Sequence, residues 1–167
     1  MSPTTVIIGL GNPILSDDAV GVRLARDVKR ALGSRNDVTV VEECSVGGLN
    51  LLEYLEGFER AVVLDAIRTR GGTPGTCYCF TAEALRQTAH LCNVHDANFA
   101  TALNLGRHLG QALPRDRDIH VFAVEIVDDT TFGTELTPPV ARRYPECRDR
   151  VLRDVKILLG PAPVAAV

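Results

Sequence analysis

Apolar residues along this chain fall into short continuous runs separated by segments of helical period, the alternation expected of a parallel sheet covered on both faces. Val6-Ile7-Ile8 is β-branched and wholly apolar, ends at Gly9, and predicts a first strand at the centre of a sheet. Beyond a turn, Val20, Leu24, Val28 and Ala31-Leu32 recur at helical spacing, with Gly33 as the C-terminal stop. Val38 to Val41 predicts a second strand. Gly47-Gly48 then interrupts the chain before Leu49, Leu52 and Leu55, the apolar stripe of a second helix. Ala61-Val62-Val63-Leu64 predicts a third buried strand that ends on a carboxylate, Asp65.

The second half changes the pattern. Arg68 to Gly75 has no helical period and is too short for a crossover, so Thr76 to Phe80 is expected to return antiparallel. A short helix around Ala82 to Gln87, a loop at Leu91 to Asp96 and a longer helix from Ala97 to Leu113 follow, and Ile119 to Ile126 supplies the last strand. After the polar loop Asp128 to Gly133, Thr137 can cap a final helix whose first turn accepts Pro138 and Pro139. Its buried face is Val140, Tyr144, Cys147, Val151, Val155 and Leu158. The expected fold is a single α/β domain over residues 1–160 with a short tail at 161–167. It reads as a three-layer α/β/α sandwich around a mostly parallel, mixed five-stranded twisted sheet.

Composition agrees with one ordinary core, since 46% of the 167 residues are hydrophobic. With 18 basic against 21 acidic residues and a net charge of −3, nothing draws nucleic acid or anionic lipid over long range. No apolar run approaches the roughly 20 residues of a membrane span, and Met1-Ser2-Pro3-Thr4-Thr5 does not resemble a secretion signal, so a cytoplasmic protein is expected. Five scattered cysteines read as reduced thiols; Cys77-x-Cys79 lacks the second ligand pair of a zinc site. His90, His108 and His120 carry no assigned chemistry, and Arg68 and Arg70 read as a solvated loop.

Chemistry is expected at the carboxyl ends of the parallel strands. Asp17-Asp18 follows the first strand, Asp65 ends the third, and His95 stands in the polar stretch Asn93 to Asn98 before a helix. Two carboxylates and an imidazole form an N/O ligand set suited to zinc or nickel, with positions left for water or substrate. Each residue also has a plain structural reading: either acid of the first loop as a helix cap, Asp65 as a loop anchor, His95 as a solvated loop histidine. Gly9-x-Gly11 is not a dinucleotide site, because Ile14 stands where its third glycine belongs and two acids would repel a pyrophosphate.

Gly9-Leu10-Gly11-Asn12, Asp17-Asp18-x-x-Gly21-Val22, Leu64-Asp65-Ala66, His95 and Gly133-Thr134-Glu135-Leu136-Thr137-Pro138 occur in that order and together resemble the hydrogenase maturation endopeptidases. The resemblance implies a nickel-dependent protease that removes the C-terminal extension of a nickel-iron hydrogenase large-subunit precursor after nickel insertion. It also implies that Asp18, Asp65 and His95 contact the metal, supplied by the precursor. Gly9, Gly11, Asn12 and Asp17 are expected to form the loop that supports them. Many members carry glutamate where this chain has Asp18, one methylene longer. Two other readings stand beside it. One is a non-cleaving checkpoint chaperone that uses the same ligands. The other is a peptidyl-tRNA hydrolase-like enzyme, which shares Gly-Leu-Gly-Asn-Pro but continues into Thr-Arg-His-Asn, where this chain has Ser16-Asp17-Asp18.

Overall fold

A computed structural model of the chain describes residues 4–87 and 94–163, with side chains outside 86–87 and 94–98. Strand β1 (Thr5–Leu10) is buried along nearly its whole length, with a neighbouring strand on each side. It pairs in parallel with β2 (Val38–Cys44) and with β3 (Arg60–Ile67). β3 in turn pairs in parallel with β5 (Ile119–Glu125). The predicted antiparallel return is β4 (Cys77–Thr81), which runs beside β5 and closes a five-stranded sheet of order β2-β1-β3-β5-β4.

Helix α1 (Val20–Leu32) ends at Gly33, the stop that the sequence predicts, with a φ of 60° that glycine adopts readily. The remaining helices are α2 (Leu52–Leu55), preceded by a 3-10 turn at Gly48–Leu51, α3 (Ala82–Gln87), α4 (Val94–His108) and α5 (Pro138–Leu159). Side chains alternate across a strand, so Ile7 and Val6 serve different faces. Ile7, Val62 and Phe122 pack with Leu24, Val28 and Val151 of α1 and α5. Val6, Ile8 and Ala61 pack with Leu52, Leu55 and Leu103 of α2 and α4. The result is the expected three layers.

This topology creates the crevice. The chain leaves β1 through α1 on one face to reach β2, then crosses the other face through α2 and passes β1 to reach β3. Connections of one hand that depart in opposite directions separate the carboxyl ends of β1 and β3. α1 seats its first turn directly on those ends, where Gly21 alone fits. A Cβ there would lie 2.3 Å from the Leu64 carbonyl oxygen and 2.4 Å from that of Leu10.

Several boundaries differ from expectation. β3 does not end on Asp65, because Asp65, Ala66 and Ile67 continue the ladder with Ala123, Val124 and Glu125. α4 begins at Val94, three residues earlier than expected, and ends at His108 before Gly110, whose φ is +81°. Polar residues such as His95 and Asp96 are at home in a helix's first turn, so their polarity misplaced its start. The second helix is only one turn long, confined between the 3-10 turn and Gly57. The expected loop at Leu91 to Asp96, with His90 and Cys92, lies largely outside the described residues. No helix among those described is long and apolar enough to cross a membrane.

Gly21→Ala should destabilise the protein by about 3 kcal/mol, since neither backbone carbonyl can retreat without disturbing β1 or β3. The urea unfolding midpoint reads this directly; an unchanged midpoint would show that α1 does not bear on the strand ends.

Candidate functional site

The turn after β1 is built around Gly11. Its φ is +129°, and a Cβ would fall 2.0 Å from the Asp18 carbonyl oxygen, so a side chain is excluded twice over. The chain folds back tightly: the Leu15 amide donates to the Asn12 carbonyl at 3.1 Å and the Asp18 amide to that of Leu15 at 2.9 Å. The Asn12 amide donates to Asp18 Oδ2 at 2.7 Å. Ser16, with φ at 44°, then starts a 3-10 turn (Ser16–Ala19) that leads into α1. Three residues per turn send the side chains of Asp17 and Asp18 in directions about 120° apart.

Asp17 turns inward and is fully buried. Its carboxylate accepts from the Thr137 amide at 2.7 Å, the Thr137 hydroxyl at 2.8 Å, the Val127 amide at 3.0 Å and the Asp128 amide at 3.1 Å. It thereby ties the β1–α1 turn to both ends of the segment between β5 and α5. Thr137 does occupy the position before α5, but its side chain makes no capping bond to the helix. The hydroxyl serves Asp17 instead, and Pro138 and Pro139 have no N–H to be capped. Backbone pairing reinforces the tie, with Ser16 donating to the Gly133 carbonyl at 3.0 Å and Gly133 to that of Ile14 at 2.9 Å. Asp128 is set by its own turn. The Thr131 hydroxyl, then the amides of Thr130 and Thr131, hold its carboxyl well below the usual carboxylate range.

Asp18 turns the other way. Together with Asp65, 47 positions later in the chain, it lines an open cleft of about 740 Å³ at the parted ends of β1 and β3. Both carboxylates are half-buried. Each has one oxygen held by a backbone N–H: Asp18 by Asn12, and Asp65 Oδ1 by Ala66 at 2.7 Å. Oxygen donors fixed in this way suit a divalent ion of the zinc or nickel kind when an imidazole completes the set. His95 lies in the first turn of α4 rather than before it, and its side chain is outside the described residues. Among the described residues no group of three His, Cys, Asp or Glu side chains is arranged to hold a metal.

The cleft also contains residues to which the sequence reading assigned no role. Arg68, expected in a solvated loop, lines it and forms an ion pair with Asp129 at 2.9 Å. Cys44 lines the cleft as a buried thiol whose pKa is pushed up by burial. Beneath Arg68 lies Glu125, 2% exposed, which accepts from the Thr69 amide at 2.6 Å, the Thr69 hydroxyl at 2.7 Å and the Tyr78 hydroxyl at 3.1 Å. Gly72 closes over it, since a Cβ there would fall 2.2 Å from the Glu125 carboxyl carbon. The available signal was an acid inside the apolar run Val121 to Ile126, where a charge demands partners. Cys44, Cys77, Cys79 and Cys147 are all free thiols.

A model of the hydrogenase maturation protease family matches residues 22–154. Over 170 residues the chain is 25% identical to "Hydrogenase expression/formation protein HupD" of Rhizobium leguminosarum bv. viciae, covering 99% of this chain and 82% of that protein. Among solved structures, the hydrogenase maturating endopeptidase HybD of E. coli superposes with a TM-score of 0.69 at 21% identity, over 92% of this chain and 93% of that one. The [NiFe] hydrogenase maturation protease HybD of Thermococcus kodakarensis does so with a TM-score of 0.66 at 21% identity, over 90% and 97%. Both superpositions establish the same α/β fold.

The adjacent acids should separate cleanly on substitution. Asp17→Ala leaves the Thr137 hydroxyl and three amides without their buried acceptor, and should cost about 3 kcal/mol of stability. Asp18→Asn, at the half-open cleft, should cost under about 1 kcal/mol. Urea titrations of the two variants check this, and equal losses would contradict the inward and outward assignment.

Proposed function

Because this chain belongs to the hydrogenase maturation protease family, we propose that it removes the C-terminal extension of a nickel-iron hydrogenase large-subunit precursor once nickel has been inserted. The observation that carries this reading is the convergence of Asp18 and Asp65, from distant parts of the chain, on one cleft at the divergence of β1 and β3. Both acids contact the precursor's nickel in this reading, and His95 is the third contact. His95 is supported by its place in α4: one helical turn further on, Phe99 packs on the Val63, Val121 and Ala123 cluster, as do the cleft residues Leu10 and Ile67. The start of α4 therefore lies over the same end of the sheet.

Nickel held at such a site acts as a Lewis acid toward the scissile carbonyl or a water. The chain's own residues orient and anchor. The amides of Asn12 and Ala66 fix one oxygen of each carboxylate, so both acids are oriented before the precursor arrives. Asp17 keeps the loop of Asp18 from shifting relative to the segment after β5. Asp18 would hold the precursor's metal through a side chain one methylene shorter than glutamate.

The purified protein, incubated with nickel-loaded and nickel-free precursor, should shorten only the nickel-loaded form, read as a discrete mass loss by mass spectrometry. Asp18→Asn, Asp65→Asn and His95→Ala should each lower the processing rate at least about 100-fold while the fold is retained. A precursor left intact under every condition would overturn the protease reading. Tight binding without mass loss would identify a checkpoint chaperone instead.

A further inference from the structure

Four charged side chains among the described residues line the cleft: the carboxylates of Asp18, Asp65 and Asp129, and the guanidinium of Arg68. Arg68 follows β3 directly, three residues after Asp65, and so stands at the same end of the sheet. Its Nη1 lies 2.9 Å from Asp129 Oδ1, with the two side chains 56% and 40% exposed. An ion pair this open to water contributes little stability and exchanges partners readily.

The backbone beneath each partner is, by contrast, firmly held. Ile67 pairs with Glu125 in the sheet, and Thr69 gives both its amide and its hydroxyl to the buried Glu125 carboxylate. On the other side, Asp128 gives its amide to Asp17 and locks its own turn through Thr130 and Thr131. The chain thus spends two buried acids on rigid supports for a pair that is itself exchangeable. That arrangement suits recognition, because the guanidinium is delivered to a fixed point at the cleft.

We propose that Arg68 is a specificity-determining residue that exchanges Asp129 for an acidic side chain of the precursor, with Asp129 holding its place in the free protein. The inference rests on the reading of this cleft as the precursor-processing site. Arg68 is then the group that offsets repulsion between an acidic segment and the cleft's own carboxylates. A guanidinium fork matches a carboxylate in a way that lysine's point charge does not.

The test is binding of full-length protein to nickel-loaded precursor over a sodium chloride series, with processing followed in parallel. Arg68→Gln should weaken binding about tenfold and flatten its salt dependence, and Arg68→Lys should fall between it and the wild type. Asp129→Asn should tighten binding about threefold, because it removes the competitor for the guanidinium. Both Arg68→Gln and Asp129→Asn should keep the wild-type urea midpoint, since the pair is exposed. In the precursor, one Asp→Asn or Glu→Gln change should weaken binding to the wild type and have no effect with Arg68→Gln. Wild-type processing with unchanged binding by Arg68→Gln would overturn this inference alone, as would Asp129→Asn weakening binding as much as Arg68→Gln. Wild-type protein that neither binds nor cuts the precursor would overturn the processing reading and this inference with it.

Discussion

A single buried carboxylate organises this molecule. Asp17 accepts four hydrogen bonds from Val127, Asp128 and Thr137, none of them from its own loop. An ionised group out of water is tolerable only when its oxygens are saturated in this way. The partners must therefore be in place, and the turn after β1, the segment after β5 and the start of α5 are bound into one body. Everything proposed for the cleft relies on that body, because Asp18 is the next residue and its direction follows from the inward turn of Asp17.

Glu125 repeats the device on the opposite rim. It is almost as deeply buried as Asp17, draws the segment after β3 onto itself through Thr69 and takes a further bond from Tyr78 of β4. Between the two anchored rims lie the half-buried carboxylates of Asp18 and Asp65, each with an oxygen held by a backbone amide. The chain thus uses acids in two different ways. Those that are buried and fully bonded hold loops still, and those at the cleft are the ones proposed to meet the precursor's metal. Glycine supplies the closeness this requires: at Gly11 the turn passes against Asp18, and at Gly21 α1 rests on the ends of β1 and β3.

The parallel strands and α1 were legible because continuous β-branched runs and a helical stripe ending in glycine are local signals. So was the antiparallel return of β4, which followed from a connection too short to cross the sheet. Boundaries were less legible wherever tertiary pairing extended an element. β3 passes Asp65 because β5 offers it further partners, and nothing near Asp65 in sequence announces that. That Asp18 and Asp65 share one cleft could be expected in advance, since strand ends of this topology face one crevice. Asp17 was recognised as a support, but its bonds to Thr137 depend on a segment 120 residues away. Arg68 and Glu125 escaped notice for the same reason: one looks like a loop cation and the other like a stray acid until the sheet brings them together.

The proposed activity requires Asp18, Asp65 and His95 to meet on one metal position at the divergence of β1 and β3. A crystal structure of the protein soaked with a divalent metal tests it most directly. One ion within about 2.0 to 2.3 Å of a donor atom from each of the three side chains is the expected result. An ion bound elsewhere, or one that meets Asp18 while Asp65 or His95 stays out of reach, would contradict it.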